Sequence, residues 1–396
     1  MRFPSAPYHT LPSFRRLLPG GLIAGGLLLA AGCSFLLQPE EEPLPTVGLG
    51  TLLLVAETNI DGNDFMLGDL AWSQDSKEVL YSGGTYGTEG EWVRRVDITT
   101  GQVNPIGDLN SVTDFREAPG SGFLVVAGNS GDSSALYLAT PAQYNGLSLI
   151  NAVVSGSPVA WSTDATLLAF AAGRTGTYGT DLQTSLVVRN IPADSVVLTV
   201  QVAGEAFPLA FSFDADRLLF GERRYDPVLG SSDTLFLFIY DAVAQTTQFV
   251  ESLPYVSFRQ MRAHWDAAGF RLVYWPGQTD EALVIYAQES GSTLVLSQEG
   301  VVDGWSLAAV SHDFRKAALW FHEATFAGDD GFSIFHRTHL YVVDLESGDR
   351  ELIANGSNQF TGYGGVAFSP DGLRIAYLYA PVLLTYNSLN LYFQSL

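Results

Sequence analysis

The chain has 396 residues, 47% hydrophobic and 16% charged, a composition that fills a large core and argues against disorder. Lys+Arg 20 against Asp+Glu 42 give a net charge of -22, which disfavours a nucleic-acid partner and any electrostatic pull toward anionic lipid. A single cysteine rules out an intrachain disulfide and zinc sites built on several thiolates.

At the start of the chain, Arg2, Arg15 and Arg16 precede the apolar run LLPGGLIAGGLLLAAG, which stops at Cys33 after small residues. This reads as a secretory signal over residues 1–32. As a membrane span the run is interrupted by Pro19 and several glycines, and Phe14 stands where a twin-arginine signal wants a polar residue. The segment LLAAGC resembles the bacterial lipoprotein lipobox. That resemblance implies that Cys33 is the first mature residue, carrying a thioether-linked diacylglycerol and an acylated amine, so that the lipid bilayer is a partner and the cell envelope the location. Several acyl chains anchor stably, at roughly 0.8 kcal/mol for each buried CH₂. Ser34 after the cysteine resembles the outer-membrane sorting choice. Residues 33–50, rich in proline and glutamate, are expected to form an extended acidic tether.

Beyond the tether comes TLLLVAET, Thr51 to Thr58, and then a repeat. Its copies read LAWSQDSKEVLYSG from Leu70, TDFREAPGSGFLVVAG from Thr113, VAWSTDATLLAFAAG from Val159 and LAFSFDADRLLFGE from Leu209. They continue with AHWDAAGFRLVYWPG from Ala263, AAVSHDFRKAALWFHE from Ala308 and VAFSPDGLRIAYLYA from Val366. The residue before each turn is Trp72, Phe115, Trp161, Phe211, Trp265, Val310 and Phe368, at spacings of about 43 to 58 residues. Each copy supplies an apolar strand, a polar turn, a second strand and usually a third and fourth, whereas helical periodicity is missing. The expectation is an all-β, seven-bladed β-propeller over residues 51–396. Blade seven runs out of strands at LNLYFQSL, and TLLLVAET has no blade of its own. Pairing of this N-terminal strand into the last blade would close the ring and leave no open edge there. The segment NLYFQS looks like a protease-tag site, but Leu391-Tyr392 matches Leu340-Tyr341 of blade six and is read as native strand.

Five turns carry Ser and, two residues later, Asp: Asp75, Asp164, Asp214, Asp313 and Asp371. One carboxylate per blade lies a blade width from the next, too far to share an ion or a proton, so these residues are assigned to fixing the turns. The pattern F-S-x-D-G-x-x-h-A-Y resembles the TolB-like, WD-related propeller repeat, best over residues 366–380. The resemblance implies the fold. For function it leaves several possibilities, since such propellers serve as periplasmic interaction modules, lids on peptidases and occasionally lyases. The chain departs from TolB in having seven repeats and no room for a preceding α/β domain.

No G-x-S-x-G elbow, P-loop or dinucleotide fingerprint occurs, and Asp61-Gly62-Asn63-Asp64 lacks the later Glu of a calcium loop. No catalytic residue, metal or cofactor is therefore assigned. The histidines His264, His312, His322, His336 and His339 fall in blades five and six, and the resemblance to propeller-type oligogalacturonate lyases makes a metal-dependent lyase the runner-up. The favoured expectation is a non-enzymatic, monomeric scaffold that binds a protein or an envelope glycan. Its long loops between second and third strands carry Tyr86, Tyr178, Arg223, Arg224, Tyr225, Phe326 and Arg337, residue types enriched in binding hot spots.

Overall fold

A computed structural model describes residues 50–54, 64–85, 91–109, 111–119, 121–122, 124–130, 133–140, 148–152, 159–176, 182–224, 234–253, 261–275, 281–297, 304–326, 334–355, 362–380 and 389–396. Residues 1–49, which hold the expected signal, Cys33 and all of the expected tether except Gly50, lie outside them, as do residues 55–58. The described residues form 28 strands in seven antiparallel sheets of four, the blades of a β-propeller, with no helix among them. The innermost strands run Asp64–Trp72, Ser111–Glu117, Ala160–Trp161, Glu205–Phe211, Met261–Asp266, Gly304–Val310 and Gly362–Phe368.

Near-continuous apolar runs form these strands because each blade is covered on both faces. Successive side chains point to opposite faces, so one strand serves two neighbours. In Glu78–Thr85, Leu80 packs toward blade two with Val112, Phe115 and Val126, while Val79 and Tyr81 pack toward blade seven with Ala376, Leu378 and Leu391. Seven buried clusters result, one at each junction between adjacent blades. The junctions also share polar contacts. Trp72 Nε1–H donates to the Ala367 carbonyl at 3.0 Å, Trp320 Nε1–H to the Gly364 carbonyl at 3.1 Å, and Tyr379 O–H to the Thr338 carbonyl at 3.0 Å. The Arg217 guanidinium lies 5.1 Å from the Trp265 ring centre across the junction of blades four and five, and such a cation–π contact is worth about 0.5–1 kcal/mol.

The ring closes as the sequence implies. Thr51–Leu54 is the outermost strand of blade seven, antiparallel to Asn390–Ser395, with Thr51 opposite Phe393 and Leu52 opposite Tyr392. Gly50 leads into it, and a Cβ there would stand 2.3 Å from the Phe393 carbonyl oxygen, so only glycine permits this approach. Its N–H donates to the Tyr377 hydroxyl at 3.0 Å, and Tyr377 stacks on Tyr392 at 5.6 Å. Burial pushes the Tyr377 phenol up to about 12, so this hydroxyl keeps its proton through the physiological range. Within NLYFQS, Leu391 and Tyr392 are buried on rungs with Leu378 and Tyr377.

Candidate functional site

The turn after each innermost strand is built from three positions. In five blades the Ser hydroxyl donates to the Asp carboxylate two residues on, at 2.5–2.7 Å. The same Ser oxygen accepts the backbone N–H five residues on, at 2.8–2.9 Å, and the Asp accepts the N–H two residues beyond itself at 3.0–3.2 Å. The Ser hydroxyl is the main cause holding the Asp164 and Asp214 carboxyls below their ordinary value. The residue after Asp is left-handed: Ser76, Ala165, Ala215 and Phe314 have φ between 56 and 61, and Gly372 has φ 69. Asp75, Asp164, Asp214, Asp313 and Asp371 are all engaged in this way.

The middle residue, x in Ser-x-Asp, takes no part in this skeleton. It is Gln74, Thr163, Phe213, His312 and Pro370 in the five regular blades, and Glu117 stands in the equivalent place in blade two. Gln74, Glu117, His312 and Pro370 line one recess of about 260 Å³, together with Arg116, Arg262 and the ends of the innermost strands. The lining comes from blades five, six, seven, one and two, an arc that can meet only at the axis of the ring. The recess is thus the axial channel's mouth on the turn rim. The x residues of blades three and four stand beside each other on the same rim: Thr163 Oγ1 donates to the Phe213 carbonyl at 3.0 Å, and the Phe213 side chain is 80% exposed.

Glu117 is the electrostatically unusual member. Burial pushes its carboxyl up to about 7; the Gln74 backbone N–H opposes this, and the carboxylates of Asp75 and Glu78 add to it. It also borders a second cavity of about 430 Å³ between blades one and two, lined by Asp75, Glu78, Arg95 and Gly122. Arg95 Nη1 meets Glu78 Oε2 there at 3.0 Å.

On the opposite rim, where second strands lead to third, Arg223 pairs with Glu205 and Arg224 with Glu222, both carboxylates being buried. Each guanidinium also lies over an aromatic ring of its own blade, Phe207 and Phe236 respectively. These arginines therefore neutralise internal carboxylates. Phe326 and Arg337 lie on the paired extensions of the second and third strands of blade six, opposite Ile334 and Glu323. Tyr86, Tyr178 and Tyr225 lie outside the described residues.

The histidines divide between the two ends of blades five and six. His264 stacks on Phe314 at 5.2 Å, and burial, then Arg271 and His312, hold its pKa below the usual histidine value. His322 sits opposite Gly304 at the far end, with its ring nitrogens 3.3 Å from the hydroxyls of Ser306 and Thr338. Fully buried His339 stacks on Phe321 at 6.0 Å, next to it, and His336 faces Ala324 in the ladder. Among the described residues, no group of three or more His, Cys, Asp or Glu is placed to hold a metal ion.

The axial recess was missed by motif reasoning because no recognised motif marks Arg116, Glu117 or Arg262. A signal was present nonetheless: a changing residue between two recurring ones, in a position that turn chemistry does not consume.

No family model matches the chain, and no curated protein matches it in sequence. Solved structures do. The β-propeller domain of the Trilobed protease from Pyrococcus furiosus, described as having an open velcro topology, aligns with 84% of this chain and 97% of its own, at 13% identity and a TM-score of 0.56. Oligogalacturonate lyase from Vibrio parahaemolyticus aligns with 87% of this chain and 98% of its own, at 11% identity and a TM-score of 0.54. TolB from Acinetobacter baumannii is matched over 74% of this chain and 64% of its own, at 12% identity and a TM-score of 0.43. At such identities the first two establish the propeller fold and nothing about activity.

Proposed function

We propose that this chain is a lipid-anchored cell-envelope protein whose propeller is a non-enzymatic binding scaffold for a protein or an envelope glycan. The observation that carries the binding role is the axial recess, where five blades contribute side chains of mixed chemistry to one concave site on a closed ring. Seven interlocked junctions hold that site rigid, which suits recognition because little ordering cost remains at binding. The anchor rests on the lipobox-like LLAAGC and on Cys33.

Two measurements test the reading. Cys33→Ser should abolish lipid labelling and move the protein from the membrane fraction to the soluble one; retention in the membrane contradicts the anchor. Incubation of the purified full chain with envelope glycans and peptides should give binding without turnover, and release of cleaved product contradicts the non-enzymatic role.

A further inference from the structure

The recess inverts the charge of the molecule around it. The chain carries Lys+Arg 20 against Asp+Glu 42, yet among the described residues lining the recess two arginines, Arg116 and Arg262, stand with one carboxylate, Glu117, and Arg262 Nη1 also donates to the Met261 carbonyl at 2.8 Å. Guanidinium groups gathered in a concave site act on a bound anion through less intervening water than scattered surface cations do, so their field is focused there. Guanidinium groups match the planar, two-oxygen geometry of a carboxylate.

We propose that the axial recess on the turn rim binds a small organic carboxylate, held by Arg116 and Arg262 and sorted by the x residues Gln74, Glu117 and His312. This deepens the scaffold reading and rests on it. The volume of about 260 Å³ suits one ring-sized or amino-acid-sized group rather than a long chain. Each innermost strand is the end strand of its sheet, so its second edge offers backbone N–H and C=O groups along the axis to the polar parts of the ligand. The ends of the innermost strands at Val310, Val366 and Phe368 complete the lining.

Glu117 makes occupancy depend on pH. It is faced by Asp75, Glu78 and Arg95 from blade one and shares the recess with Arg116, Arg262 and His312. Below about pH 7 its carboxyl is neutral and can donate a hydrogen bond to the bound carboxylate; above, it repels the ligand. Affinity for the carboxylate therefore falls as pH rises through neutrality, since the ligand itself stays ionised above about pH 5.

The test is calorimetric titration of the full chain with N-acetylphenylalanine and with glucuronate, each against its neutral counterpart, N-acetylphenylalaninamide or glucose, at pH 6 and pH 8.5. The expected result is that at least one carboxylate binds about tenfold or more tightly than its counterpart, and that it binds more weakly at pH 8.5. Whichever acid binds identifies the source as a chain end or a sugar acid. Arg262→Gln should cost about tenfold in carboxylate affinity, and Arg262→Lys, which keeps the charge and loses the fork, should recover part of it. Glu117→Gln should flatten the pH dependence. Equal binding of acids and neutral counterparts, equal binding of sulfate, or full affinity in a folded Arg262→Gln protein overturns the proposal. Should Arg262→Gln fail to fold, Arg116→Gln takes its place with the same expectation. Turnover of the bound acid would end the non-enzymatic reading and leave the carboxylate site standing, whereas capture of a neutral partner alone would do the reverse.

Discussion

Blades four and two differ at a single turn, and the difference separates what builds the ring from what the ring presents. In blade four, Ser212 and Asp214 tie the turn through the backbone N–H groups of Arg217 and Asp216, and Phe213 between them points into solvent. In blade two, Arg116, Glu117 and Ala118 occupy those places, and the turn closes through Ser121 N–H to the Ala118 carbonyl at 3.5 Å with Gly122 at φ 68. Blade two gives up the hydroxyl–carboxylate tie and places charge at the axis. The ring tolerates this turn because the junction clusters on both sides of blade two hold it.

The largest break in this comparison comes from removing the tie. Ser212→Ala orphans the Arg217 N–H and should lower stability by about 2 kcal/mol in urea unfolding, whereas Phe213→Ser, one residue on, should stay within about 0.5 kcal/mol. A large loss from Phe213→Ser would show that the middle position is structural after all. The left-handed residue sharpens the contrast at about half that scale. A Cβ on Gly372 meets nothing within 4 Å, so Gly372→Ala should cost about 1 kcal/mol through backbone conformation alone. Ala215→Gly, at the matching place in blade four, should gain about 0.5 kcal/mol, the relief being partly offset by lost packing.

A smaller effect separates blade two by pH. Because the Glu117 carboxyl is raised to about 7 in the folded chain, from an ordinary value of 4.5, its contribution is full below pH 4.5 and is lost as pH rises toward 7. Glu117→Gln should therefore melt much like the parent at pH 5 and be more stable at pH 8, by about 1 kcal/mol after allowance for partial solvent screening. Equal melting curves at both values would remove the desolvated carboxyl from the account.

The ring was legible in the sequence because its signal is repeated: strand, turn and strand recur with the same residues, and the unmatched strands at the two ends supply each other's partner. The site was less legible. Sequence alone does not separate Arg223 from Arg224: the register sets Glu205 opposite Arg223 and leaves that arginine largely covered, whereas Arg224 stays exposed while reaching Glu222 two residues back on its own strand. Glu117 carries no motif. Its role follows from blades one, six and seven bringing their own x residues to the same axis, which no single repeat can reveal.

The most direct test of the turn-rim site is the titration of the Glu117 side-chain carboxyl by carbon-13 NMR, with and without the carboxylate that binds best. The account predicts a midpoint near 7 in the free protein, moving higher when the acid is bound because the added negative charge disfavours ionisation. A midpoint near 4.5 that the ligand leaves unmoved would contradict it.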